Sequence, residues 1–151
     1  RTDAKKTDLF AQYALAAATQ AVTDSGIEGS IERSRFGVYI GSGIGGISTL
    51  ITECGKMLAR GPSRVSPYFV PMMISNIASA LVAMRYGAKG PNLPVVSACA
   101  TGTHAIGEAF RAIKHGYADA IITGSAMQLA NPPTASGFIA ASAPPAIITS
   151  A

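Results

Sequence analysis

Apolar residues recur along the chain with two periods, and together the periods predict alternating helices and strands. Across residues 8–24, Leu9, Tyr13, Ala16 and Ala17 fall at helical spacing behind a capping Thr7 or Asp8, and Gly26 marks the stop. Residues 36–40, Phe-Gly-Val-Tyr-Ile, form a short β-rich run closed by glycine, the pattern of a buried strand. The glycine-rich turn Gly41-Ser42-Gly43-Ile44-Gly45-Gly46 follows. A second helix is expected over residues 47–60, ended by Gly61-Pro62, and a third over 71–86, ended by Gly87, with a Pro-bounded loop at 63–70 between them. Residues 93–98 read as a short apolar strand and 99–103 as a turn. An amphipathic helix comes next, with Ile106, Ala109, Phe110 and Ile113 on its buried face and His115-Gly116 at its end. Residues 118–124 read as another buried strand. Strand, helix and strand over 93–124 argue for a layered α/β fold around a largely buried sheet. From Ser125 onward the chain is rich in Ala, Pro and Ser and shows no period.

Composition agrees with a packed domain. The chain has 151 residues, 48% hydrophobic and 13% charged, which is apolar enough to bury a core and to leave apolar surface for another chain or a missing half. It holds no run of about 18 apolar residues and no start resembling a secretion signal. A protein without a membrane span is therefore expected, in the cytoplasm or in the matrix of a plastid or mitochondrion. The net charge of +4 includes a cluster at Arg1, Lys5 and Lys6. With no aromatic residues interleaved, the cluster is weak ground for a nucleic-acid partner. It fits a small acidic partner at least as well, and equally a plain solvated helix face. Cys54 and Cys99 are the two cysteines, and neither has a Cys or His at metal-ligand spacing, so neither a disulfide framework nor a metal site is expected.

Two motifs carry candidate chemistry. The turn at 41–46 matches G-x-G-x-x-G between a strand and a helix, the setting of a dinucleotide-binding loop. That loop also needs a strand ending in Asp or Glu roughly 20 residues later. The stretch Gly61-Pro62-Ser63-Arg64-Val65-Ser66 offers none, so tight backbone packing is the simpler use of these glycines and no cofactor is expected. Cys99 stands where a buried strand gives way to a helix, under the positive end of the helix dipole, a place that favours a thiolate. Unpartnered N–H groups of that first helical turn can donate to an oxyanion. Ala98, Ala100 and Gly102 are small and leave room for substrate. Cys54, in mid-helix, reads as an inert packing cysteine. His104 points away from Cys99 at about 100° per residue, and His115 sits at a helix end. Both histidines read as structural, leaving a nucleophile without a base.

The residues around Cys99, Val96-Ser97-Ala98-Cys99-Ala100-Thr101-Gly102-Thr103, resemble the active-site motif of the type II β-ketoacyl-acyl-carrier-protein synthases. Tyr39 to Gly46, Ser66-Pro67-Tyr68-Phe69-Val70-Pro71, Tyr86-Gly87-Ala88-Lys89-Gly90-Pro91 and Asp119-Ala120-Ile121-Ile122-Thr123-Gly124 extend the resemblance in order and spacing, over about residues 3 to 124. It implies a thiolase-like fold of two similar α/β halves in five layers, working as a homodimer. It also implies that Cys99 accepts an acyl group from acyl carrier protein. Malonyl carrier protein then loses carbon dioxide, and its carbanion attacks the acyl-enzyme to give a 3-oxoacyl product. By the same resemblance Ile44 and Phe69 line the acyl pocket, Phe69 reaching into the partner subunit's site, and Phe138 is a third pocket-gating position. Arg1, Lys5 and Arg64 fall near positions that meet the acidic carrier protein.

The chain also departs from the family pattern. It corresponds to the amino-terminal half without the first strand, and the family's two catalytic histidines, a lysine and the second oxyanion donor belong to the other half. Where the family has a Gly-Thr-Glu-Ala type sequence, this chain has Ser125-Ala126-Met127-Gln128, and Pro144-Pro145 stands where a helix would continue. The sequence is thus expected to be one partial half-domain of a condensing acyltransferase of fatty-acid elongation. A polyketide ketosynthase domain and an inactive structural or dimerisation fragment are the alternatives, while a chain-length factor is disfavoured by Cys99.

Overall fold

The computed structural model describes residues 6–126 and 146–149. Its sheet is built on two strands whose residues are all buried, β1 (Phe36–Gly41) and β2 (Ala120–Ser125). They pair in parallel with Phe36 opposite Ala120 and Gly41 opposite Ser125. A third strand, β3 (Ala146–Thr149), runs antiparallel along the far side of β2, giving the order β1-β2-β3 among the described residues. The parallel register is pinned at its start. The Arg35 guanidinium grips Asp119 Oδ1 at 2.7 Å and the Gly116 carbonyl at 2.8 Å, while the Asp119 N–H donates to the Arg35 carbonyl. Their ion pair and hydrogen bonds hold the Asp119 carboxyl below the usual carboxylate range.

Side chains leave the strands with period two, and each face has its own helices. Val38, Ile40, Ala120 and Ile122 enter a core with Phe10, Ala14 and Ala18 of α1 (Leu9–Ser25) and Ala78 and Val82 of α4 (Ile77–Tyr86). Tyr39 and Ile121 point the other way, onto Ala109 and Ala112 of α5 (Thr101–Lys114). The result is helices on both faces of a buried sheet, the layered α/β arrangement that the alternating pattern implied.

Capping follows the sequence, but the buried faces differ. Asp8 is the cap of α1, its Oδ1 accepting from the Phe10 N–H at 3.3 Å, and Gly26 ends the helix at φ 63°. The stripe that α1 buries is Phe10, Ala11, Ala14, Ala18 and Val22, one position round from the expected one, so Leu9 and Tyr13 are nearly half exposed. In α5 the buried stripe is Thr101, Gly102, Ala105, Ala109 and Ala112, and Phe110 lies 56% exposed instead of inside. Small residues let this helix lie close on the sheet, so the large ones are displaced to the flank.

Two elements differ in kind. The helix expected over 71–86 is two helices, α3 (Phe69–Met73) and α4, because Ile74 is extended at ψ 137°. The break is occupied by the glycine turn: the Gly46 N–H donates to the Met73 carbonyl at 3.0 Å, and a Cβ on Gly45 would meet that oxygen at 2.3 Å. The strand expected over 93–98 is instead an irregular extended run. It starts beside β1, with an isolated parallel bridge between Asn92 and Val38, then leaves the ladder. Pro94 has no N–H to give, the Val95 carbonyl stands over Gly41, and the Ser97 N–H turns back to Thr101 Oγ1. A one-turn 3-10 helix, Ala98–Ala100, ends the run.

Candidate functional site

Cys99 is exposed and lies within the 3-10 turn that immediately precedes α5. The residue before it, Ala98, has φ 49°, the left-handed conformation that an alanine rarely takes. Ser97 closes the turn from below. Its N–H donates to the buried Thr101 Oγ1 at 3.0 Å and its carbonyl accepts from the Ala100 N–H at 3.0 Å. The Thr101 N–H likewise goes to the Ala98 carbonyl. These bonds narrow the expected oxyanion donors. The Ala100 and Thr101 amides are engaged, while the Cys99 N–H has no hydrogen-bond partner among the described residues. An amide and a nucleophile on one residue can serve one thioester, the sulfur attacking the carbonyl carbon while the N–H meets its oxygen.

The glycine turn approaches this place from β1. A Cβ on Gly41 would stand 1.8 Å from the Val95 carbonyl and 2.5 Å from the Thr101 methyl, so the backbone preceding Cys99 and the start of the Ile44 turn touch through a glycine. These glycines therefore serve close packing, as expected. Ile44 is 45% exposed and lines an open groove of about 490 Å³ with Met73, Ile74, Ser75 and Asn76. Phe69, half-buried at the start of α3, does not line that groove, and neither does Cys99. The groove thus brings Ile44 against the end of α3. Phe138, Arg1 and Lys5 lie outside the described residues.

Arg64 is exposed in a short 3-10 turn, Pro62–Arg64, after α2 (Ile47–Arg60). The loop that follows is fastened by a residue that sequence reasoning passed over. Glu53 is buried, accepts from the Ser66 N–H at 2.7 Å and from Lys56 Nζ at 2.5 Å, and these bonds hold its carboxyl below the usual range. Lys6 lies over the Tyr68 ring, 5.1 Å from its centre. Cys54 is partly buried within α2. His104 is exposed on α5 but is not a bystander: its Nδ1 lies 2.6 Å from Ser97 Oγ. Helical angle alone misses this contact because it ignores the chain folding back before Cys99. His115 caps the opposite end of α5, about 20 Å along the axis by helical rise. Among the described residues, no group of three or more His, Cys, Asp or Glu is placed to hold a metal ion.

Comparison with known proteins matches residues 1–144 to the family model of the β-ketoacyl synthase N-terminal domain. The 3-oxoacyl-[acyl-carrier-protein] synthase 2 of Synechocystis sp. is 44% identical over 144 residues, covering 95% of this chain and 35% of that protein. The enzyme of the same name from Staphylococcus aureus is 48% identical over 125 residues, or 82% of this chain and 31% of that protein. The chain therefore spans about a third of the length of these relatives. Among solved structures, a β-ketoacyl synthase from Burkholderia phymatum superposes with TM-score 0.73 at 28% identity, covering 87% of this chain and 32% of that one. The fold is shared also with a type II polyketide ketosynthase solved with its acyl-carrier protein, at TM-score 0.83 and 23% identity over 88% of this chain and 39% of that one. With its N-terminal domain model matched over residues 1–144 and relatives at 44% and 48% identity, the chain belongs to the β-ketoacyl synthase family, matching its N-terminal domain.

Proposed function

We propose that this chain supplies the acyl-accepting part of a condensing acyltransferase of fatty-acid elongation, with Cys99 as nucleophile. The observation that carries the reading is an exposed cysteine on a strained turn ahead of a helix, with its own N–H unpartnered among the described residues. In the reaction, Cys99 Sγ attacks the carbonyl carbon of an acyl-carrier thioester, the carbonyl oxygen becomes an oxyanion facing the Cys99 N–H, and collapse expels the carrier thiol. The acyl group then joins the carbanion left when a malonyl thioester loses carbon dioxide, freeing the cysteine and giving a 3-oxoacyl thioester. Of the chain's two histidines, His104 is engaged through Nδ1 by Ser97 Oγ and His115 lies at the far end of α5. On this reading the donors for decarboxylation come from outside these residues.

Relatives named as 3-oxoacyl-[acyl-carrier-protein] synthases at 44% and 48% identity support a fatty acyl substrate, whereas the polyketide ketosynthase shares the fold alone. The same reading makes acyl carrier protein the partner, with Arg1, Lys5 and Arg64 toward its acidic surface, and Ile44, Phe69 and Phe138 along the acyl chain. It also makes the working unit a homodimer in the cytoplasm or an organelle matrix. Large apolar side chains left exposed at Leu93, Val96 and Phe110 support the need for a further covering surface. The test is intact mass after incubation with acyl-carrier thioester. A gain of one acyl group, absent in Cys99→Ala, is expected, and no 3-oxoacyl product is expected when malonyl carrier protein is added to the 151-residue chain alone. A folded chain that gains no acyl group is a structural part and not a catalyst.

A further inference from the structure

We propose that His104 is a positioning residue for Cys99, acting through Ser97. The proposal rests on the reading of Cys99 as the acyl-accepting nucleophile and names what holds it in place. Ser97 stands two residues before the thiol, and each of its polar groups is engaged by a residue on the far side. Its N–H donates to Thr101 Oγ1, its carbonyl accepts from the Ala100 N–H, and its Oγ meets His104 Nδ1 at 2.6 Å. The turn carrying Cys99 is therefore tied at its neck by three hydrogen bonds. It needs them: Ala98 holds φ 49° although both Ala98 and Cys99 are exposed, so packing does not keep the turn in that conformation.

The three bonds differ in what they can reach. The bond to Ala100 lies within the turn, and the one to Thr101 ties the Ser97 backbone to the first, buried residue of α5. His104 sits one turn further along α5, a helix anchored on the sheet through Ala105, Ala109 and Ala112. Its bond is the one that fastens the Ser97 side chain to that helix. Losing it frees the Ser97 side chain and lets the Ala98 strain relax, which moves the thiol without touching it.

The experiment follows iodoacetamide alkylation of the folded chain by peptide mass spectrometry, reading Cys99 and Cys54 separately in each sample. In the wild type Cys99 reacts faster than Cys54. In His104→Leu the Cys99 rate falls about fivefold, the value of one hydrogen bond, while the Cys54 rate stays unchanged. His104→Asn restores most of the loss, since its amide places a donor and an acceptor as many bonds from Cβ as Nδ1. Ser97→Ala shows the same loss as His104→Leu, and combining the two adds nothing further, as a single shared bond requires. A wild-type Cys99 rate in His104→Leu, or losses that add in the double variant, overturns the proposal. A wild type in which Cys99 reacts no faster than Cys54 overturns the nucleophile reading itself, and this proposal with it.

Discussion

At Ala98 the chain holds an L-residue at φ 49°, in a stretch open to solvent. That conformation costs an ordinary residue about 1–2 kcal/mol, and a β-branched one more. Ala98→Gly is therefore expected to be neutral or stabilising by up to about 1 kcal/mol, and Ala98→Val to destabilise by about 1–2 kcal/mol. Thermal unfolding of the two variants checks the order, and equal stability of glycine and valine there would remove the strain from the account. The exposed place of Cys99 ahead of a helix was legible in the sequence because the small residues around it and the change from an apolar run to a helical pattern mark a presented side chain. The strain next to it was not, since alanine gives no sign of left-handed backbone. Nor was the contact between Ser97 and His104, which depends on how residues 94–97 fold back toward α5 and not on position along the helix.

At the scale of elements, β1, β2 and the C-terminal ends of α1, α2, α4 and α5 were readable from apolar runs and from Gly26, Gly61, Gly87 and His115-Gly116. What misled was the assumption that the largest apolar side chains face inward. Phe110 and Tyr13 lie at the surface because small residues set the spacing between helix and sheet. The break between α3 and α4 and the loss of the strand at 93–98 both come from other segments, the glycine turn taking the Met73 carbonyl and Val95 crossing Gly41, which no local pattern reports. The loop after α2 has a pH dependence that follows from Glu53. Hydrogen bonds from Lys56 and from the Ser66 N–H lower its folded pKa, so the stabilisation is complete above the unfolded carboxylate value of about 4.3 and is lost as pH falls through the lower folded value. Melting temperature is expected to drop on acidification below about pH 4.3, and the drop to be shallower in Glu53→Gln, whose side chain does not titrate. An identical acid slope in that variant would detach Glu53 from the stability of the loop.

Across the whole molecule, helices on both faces of a buried parallel pair bring two remote segments to one end of the sheet: the glycine turn leaving β1 and the turn entering α5. Function on this account divides along that arrangement. The chain presents an exposed thiol at the turn entering α5, while His104 is engaged by Ser97 and His115 lies at the far end of that helix. The central claim is that Cys99 Sγ carries the acyl group, and protection from alkylation measures it most directly. The chain is incubated with acyl-carrier thioester, freed of carrier, treated with iodoacetamide and digested, and the occupancy of each cysteine is read by peptide mass. The account predicts an acylated Cys99 shielded from iodoacetamide and a Cys54 labelled to the same extent with or without the thioester. Equal labelling of Cys99 in both samples of the folded chain would contradict it.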